Sequence, residues 1–227
     1  MNFNIDNSIP AVSSQANYLA GDQIHDVIFK GVAQGTLDST KTGQSYNTLD
    51  LKFVGIEGGE FTHRIFEPGP DAGTRKANQF GGQNPSGAEQ LFAVTRHYIA
   101  ALNPDYFKKL EDGTQKISAP SWDAFCQAII KVLSKGLDKQ VQLKLLKNGS
   151  GMSEVPGFPL GISRDGNLYM TTSFIGEKLQ FTPKELKKIE ERAKAAPTNM
   201  NNSGMSMGSG SATTAASDDF NLDDIDI

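Results

Sequence analysis

Basic and aromatic residues recur along this 227-residue chain where a strand would turn them away from its core or a glycine-rich loop would expose them. They are Lys41 and Tyr46, Lys52, Arg64 and Phe66, Arg75, Lys76 and Phe80, and Arg164, Tyr169 and Lys178. Lys and Arg neutralise phosphates and release counterions, and aromatic faces stack on bases. Together they suit a single nucleic-acid strand held without sequence preference. Stacking contributes on the order of 1–3 kcal/mol per base, so a few rings suffice. Each position also has a plainer reading. Lys52 fits a solvated strand lysine. Phe66 and Tyr169 fit a core as well as a stacking platform, because strand alternation slips at a bulge. Phe80 is the sharpest member, an aromatic set among Asn, Gln and Gly with no evident core to join. Phe53 and Phe61 read as core, Trp122 as a packing residue, and His63 as an ordinary surface or half-buried residue.

A second constellation lies at residues 218–227: Asp218, Asp219, Phe220, Leu222, Asp223, Asp224, Ile225, Asp226 and Ile227, with Asn221 among them. Five carboxylates alternate with four apolar side chains, and no base is present. Residues 197–217 before it are Ser, Gly, Asn, Thr, Ala and Met with a single Pro, the composition of a flexible linker. An acidic-hydrophobic segment on a long spacer can catch another protein or compete with a polyanion for a groove on its own domain. Solubility alone would not require the interleaved apolar residues.

The whole chain carries a formal charge of −4, yet the five Asp of 218–227 leave 21 acidic against 22 basic residues elsewhere, so residues 1–196 sit at about +1. Such a body permits a local basic groove but does not announce one. One cysteine, Cys126, allows no internal disulfide and no thiolate cluster, and three scattered histidines add no ligand spacing. No signal peptide or membrane span is visible, so a cytoplasmic protein without cofactor or metal is expected. No phosphate-binding glycine loop, nucleophile elbow or zinc-protease helix appears. Asp50, Glu57, Glu60 and Glu67 are scattered over strands and turns, and a two-metal nuclease would have to gather such groups in space. The expectation is a protein with no catalytic residues.

The elements that must hold these side chains follow from periodicity. Ile24–Leu37 reads as a long strand with Val27, Phe29 and Gly31 on one face and Ile28, Lys30 and Val32 on the other. Gly31 and Gly35 point to a bulge or strong coiling within it. Residues 38–45 form a hairpin loop. Tyr46–Ile56 alternates with Leu49, Leu51 and Phe53 inward, and residues 61–67 make a third strand. Residues 68–85 form a Gly/Pro-rich loop. Ser86-Gly87-Ala88-Glu89 fits a capping box opening a helix that Asn103-Pro104 stops. A second helix spans Trp122–Leu133, with Gly136 as its C-terminal glycine. Gln140–Lys147 is a strand with Val141, Leu143 and Leu145 inward, and Leu168–Ile175 a last one. Thr182-Pro183-Lys184-Glu185 caps a charged helix ending near Ala195, most simply a solvated face.

Five strands with helices between the third and fourth make the expected fold class mainly β: an OB-fold-like five-stranded antiparallel barrel with inserted helices and an acidic tail. The expected layout is a lead-in at 1–20, an OB-like domain at 21–196 with a helical insertion at 86–135, a linker at 197–217 and a tail at 218–227. The hairpin running through Thr40-Lys41-Thr42-Gly43-Gln44-Ser45-Tyr46, the strand order and the Asp-rich tail resemble bacteriophage-type single-stranded DNA-binding proteins. The tail family usually ends Asp-Asp-Ile-Pro-Phe, where this chain has Asp-Asp-Ile-Asp-Ile. The resemblance implies a protein of the host cytoplasm that coats single-stranded DNA and recruits replication, recombination or repair proteins through its tail. The alternative is a protein-interaction or virion-associated barrel that binds no nucleic acid.

Overall fold

The computed structural model describes residues 18–40, 42–78, 82–156, 160–163 and 165–195. Three antiparallel strands come first: β1 (Gln23–Asp38), β2 (Ser45–Gly55) and β3 (Glu60–Phe66). Three helices follow, α1 (Gly87–Leu102), α2 (Pro104–Glu111) and α3 (Trp122–Leu133), then β4 (Gln140–Lys147). Short strands β5 (Ser153–Glu154), β6 (Leu160–Ile162), β7 (Leu168–Met170) and β8 (Ile175–Gly176) precede α4 (Pro183–Ala195). The main sheet runs β3-β2-β1-β4-β5, with β8 also paired to β4. β1 is shared by two partners, residues 23–28 pairing with β4 and 27–38 with β2. A strand that serves both neighbours has to curl, and the result is a curled antiparallel half-barrel.

The bulge in β1 decides which side chains reach the core. Its register shifts between Phe29 and Gly31, leaving Lys30 as the extra residue. Gly31 takes φ 155, which an L side chain rarely adopts. The expected faces are therefore corrected beyond the bulge. Gly31 stands opposite exposed Lys52, while Val32 stands opposite buried Leu51 and packs on the core. Gly35, by contrast, pairs in regular register with Thr48. The concave face then carries Val27, Phe29, Leu49, Leu51, Phe53, Ile65, Val141, Leu143 and Leu145, all buried.

The last strand departs from expectation. Leu168–Met170 pairs with β6 in a separate two-stranded hairpin, and only Ile175–Gly176 joins β4. Among the described residues no backbone pairing links β3 to β8. Side chains bridge that gap: Tyr98 of α1 packs on Phe53, His63 and Phe174 at centroid distances of 6.0, 5.7 and 5.2 Å. Helix α1 thus plugs the half-barrel where a full barrel would close by hydrogen bonds. Its Ser86/Glu89 capping box is formed in both directions. Asn103 ends α1 and also caps α2 through the Tyr106 amide at 3.2 Å, adding a helix the sequence reading did not separate. Gly136, in a 3-10 turn (Ser134–Gly136), is there for close approach: a Cβ would lie 2.6 Å from the Leu102 carbonyl oxygen.

The solvated reading of α4 is corrected at one point, its contact with Lys144 of β4. Lys144 is 0 % exposed. Its ammonium donates to Thr172 Oγ1 at 2.5 Å, Glu185 Oε2 at 2.9 Å and the Gln180 carbonyl at 3.1 Å. Glu185 also accepts from the Thr182 amide at 2.7 Å, completing the capping box of α4, and from the Thr172 hydroxyl at 3.0 Å. Burial pushes the Glu185 carboxyl up, but Lys144, Thr182 and Thr172 together outweigh it and hold it below its usual range. The rest of α4 does face solvent, apart from half-buried Ile189 and Arg192. Arg192 ties its far end to Asp22 at 2.5 Å.

Candidate nucleic-acid interface

The convex face of the β1–β3 meander is the strongest candidate, because register alone brings four of the expected residues onto it. Thr48 lies opposite Phe66, Asp50 opposite Arg64, and Lys52 opposite Thr62. Side chains directly opposite in an antiparallel pair share a face, so Tyr46, Lys52, Arg64 and Phe66 point the same way. Tyr46 and Phe66 are half-buried and meet edge to face, with ring centroids 6.3 Å apart. The Tyr46 hydroxyl donates to Gln44 Oε1 at 2.9 Å. The pair roofs Thr48, whose hydroxyl is buried with no partner among the described residues. Lys52 is exposed two positions beyond Asp50, and at ~3.3 Å per residue it stands roughly 20 Å from Tyr46.

The electrostatics of this face are mixed. Arg64 Nε donates to Asp50 Oδ2 at a long 3.4 Å, and the guanidinium is about half exposed. An exposed pair of that length contributes well under 1 kcal/mol, so a phosphate can displace the carboxylate cheaply. Asp38 holds the Ser45 hydroxyl and Glu67 holds the Asn47 amide, which engages two nearby acids locally. Small residues keep the surface shallow beside the rings, with Gly31, Ala33 and Gly35 on the adjacent strand.

Other expected residues fall elsewhere. Arg75 is drawn into a bidentate ion pair with Glu89, at 2.7 to 3.1 Å, and also donates to the Gly166 carbonyl at 3.4 Å. The Arg75 guanidinium and the Ser86 hydrogen bonds, working against burial, hold the Glu89 carboxyl down to about 2. The first duty of Arg75 is thus to fasten the 68–85 loop to the start of α1. Lys76 is exposed, and its carbonyl accepts from the Asn84 amide at 2.8 Å across that loop. Tyr169 is 52 % exposed on β7, with its ring lying across Gly161 of β6. Lys178 is exposed beyond β8. Neither shares the register of the convex face. Lys41, Phe80, Arg164 and the whole of 218–227 lie outside the described residues.

Sequence reasoning missed an aromatic-histidine cluster on the opposite, concave side. His63 Nδ1 and the Tyr98 hydroxyl are 2.6 Å apart, and His97 packs on Phe174 at 5.2 Å. Burial lowers the His63 pKa to about 4 and lowers that of His97, so both rings are neutral at pH 7. The cluster fastens α1 into the open side of the sheet. Strand alternation did carry a signal for it, since His63 shares parity with Phe61 and Ile65. Among the described residues no three His, Cys, Asp or Glu side chains converge as metal ligands. Likewise, no described helix is long and apolar enough to cross a membrane. No protein-family model and no curated protein matches this chain.

Proposed function

We propose that this protein binds single-stranded DNA without catalysing a reaction on it, through the convex face of β1–β3. The observation that carries this reading is the shared register of Tyr46, Phe66, Arg64 and Lys52 on one open surface. Tyr46 and Phe66 supply ring faces and edges for bases, Lys52 and Arg64 supply phosphate contacts, and the path from Tyr46 to Lys52 is roughly 20 Å along the strand. Lys41, in the 38–45 segment between β1 and β2 in sequence, is a further cation for phosphate on this reading. On this reading, Lys76, Tyr169 and Lys178 prolong the path beyond the sheet, Phe80 and Arg164 are further contacts expected from sequence, and segment 218–227 recruits replication or recombination proteins. The test is a salt-titrated binding curve for oligo-dT with the full chain. Sub-micromolar to micromolar affinity that falls steeply with salt is expected. Absence of binding at low salt would remove the reading.

One observation favours a second reading, a barrel used for protein contacts. Leu168, Tyr169 and Met170 are consecutive, apolar and exposed on the β6–β7 hairpin. Exposed apolar side chains on both sides of a two-stranded hairpin suit a protein contact. Size-exclusion chromatography separates the two readings. An assembly that ignores oligo-dT and dissolves on Tyr169→Ser would favour protein contacts.

A further inference from the structure

Four lysines gather where β1 breaks register. Past Ile28, β1 keeps β2 as its only strand partner, and α3 runs along its other side. Asp123 in the first turn of α3 accepts from Gln34 Nε2 at 2.6 Å, and beyond the helix the Asp138 amide donates to the Phe29 carbonyl at 2.9 Å. Lys131, Lys135 and Lys139 recur every four positions over the end of α3, its 3-10 turn and the approach to β4. Lys131 and Lys135 are exposed, and Lys139 is half-buried. Lys30, the extra residue of the bulge, reaches the same turn and donates to Asp138 Oδ1 at 2.8 Å. That pair is exposed on both sides, so it contributes at most about 1 kcal/mol and yields to another anion. Lys131, Lys135 and Lys139 take part in no ion pair among the described residues. Like charges four apart in a helical stretch cost roughly 0.2–0.5 kcal/mol. The C-terminus of α3 offsets this for Lys131 and Lys135. It does not account for Lys30 and Lys139, which come from other elements. Four cations around one weakly engaged carboxylate make a patch suited to phosphates.

The patch is continuous with the convex face. Gly31, next to Lys30, stands opposite Lys52, and neighbouring strands are only about 4.8 Å apart. A Cβ on Gly31 would meet no atom within 4 Å, so the surface above the bulge is open. Straight on along β2, by contrast, a polyanion meets carboxylates. Val54 stands opposite Glu60, the Ile56 amide donates to the Asp26 carbonyl, and Glu57 follows, with all three acids exposed. We propose that a bound single strand turns at Lys52 and leaves the convex face across the bulge, its phosphates passing onto Lys30, Lys131, Lys135 and Lys139. This path rests on the convex face being a single-stranded DNA site, and it gives that site a direction. Asp138 acts as a local brake, because it occupies Lys30 until a phosphate displaces it.

The test is salt-titrated binding of the full chain to oligo-dT of about 6 and about 16 nucleotides, both within the range of OB-type sites. Each phosphate contact on a single strand adds about 0.7 to the steepness of log affinity against log salt. For the long oligomer, Lys131→Gln, Lys135→Gln and Lys139→Gln together should lower that steepness by about 2, and the affinity at about 0.1 M salt on the order of 100-fold. Asp138→Asn should act in the opposite sense, raising long-oligomer affinity about 5-fold by freeing Lys30. Asn keeps the turn, since it tolerates the left-handed φ of 62 at that position. The short oligomer, held by the convex face alone, should respond to neither change. Lys108→Gln, Lys109→Gln and Lys116→Gln remove the same charge from exposed positions on and beyond α2 and should leave the steepness as it is. Unchanged steepness in the patch variant, or an equal fall in the α2 variant, would overturn the exit path and leave the convex-face site standing. So would equal losses on the two oligomers. An Asp138→Asn chain that binds the long oligomer no tighter would take Lys30 out of the path. Wild type that binds neither oligomer would remove the convex-face reading and the exit path with it.

Discussion

Replacing Glu185 with Gln isolates the charge of the buried Lys144–Glu185 ion pair. Glutamine keeps the side-chain carbonyl that accepts from the Thr182 amide, so the cap on α4 survives. What is lost is the counter-charge of an ammonium that is 0 % exposed. Lys144 retains Thr172 and the Gln180 carbonyl, which places the expected loss at the lower end of the range for breaking a buried pair, about 3 kcal/mol. Lys144→Met strands Glu185 in turn, but two donors remain to it, and about 2–3 kcal/mol is expected. The double variant removes both charges and should lose only about 1–2 kcal/mol, because a packed neutral pair avoids the desolvation of two ions. The cycle therefore predicts a coupling of about 3–5 kcal/mol. Urea unfolding at pH 7, followed by circular dichroism, reads this as a midpoint shift of about 1.5 M for Glu185→Gln if the slope is about 2 kcal/mol/M. Because the folded Glu185 carboxyl is depressed, its contribution is present above the ordinary carboxylate pKa and lost as pH falls through the lower folded value. A double variant as unstable as the sum of the two singles would refute the coupling, and with it the description of the pair as one unit.

Four other outcomes are expected. Tyr46→Ala and Phe66→Ala should each weaken oligo-dT binding by about 1–3 kcal/mol, or roughly 5- to 150-fold, with an unchanged far-ultraviolet spectrum. His63 is neutral when folded and charges readily when unfolded, so wild type should lose up to about 3 kcal/mol between pH 6.5 and pH 4. Thermal melts of His63→Gln, which can keep a bond to Tyr98, should show a smaller loss over that window. Burial pushes the Cys126 thiol up to about 11, so disulfide-exchange reagents at pH 8 should label it only after denaturation. Gly136→Ala should destabilise by about 1–3 kcal/mol, because a methyl group there meets the Leu102 backbone rather than a yielding side chain.

The convex face was readable because it depends on one period and one hairpin. Alternation through Leu49, Leu51 and Phe53 fixes where Lys52 points, and hairpin pairing then carries Arg64 and Phe66 to the same side. Past the bulge in β1, that logic inverted. Gly31 signalled a distortion, but nothing local says that Lys30 is the residue left over, so Val32 was assigned outward when it faces the core. Arg75 illustrates the limit for site residues. A lone arginine in a polar loop looks available for phosphate until Glu89, 14 positions along the chain, is brought against it by the cap of α1.

By itself the sequence determined what neighbouring residues decide: two capping boxes, the span of α3, the alternation of β2 and the charge division between body and tail. These depend on hydrogen bonds and periodicities within a few positions, so they are written where they act. Only the tertiary structure decided that the half-barrel is closed by Tyr98 rather than by a fifth long strand, and that Lys144 is buried. Both outcomes join segments far apart in the chain, Lys144 to Glu185 across 41 positions and His63 to Tyr98 across 35. Whether a lysine on a strand meets water or a carboxylate depends on what folds over it, and that covering is a property of the assembled layers.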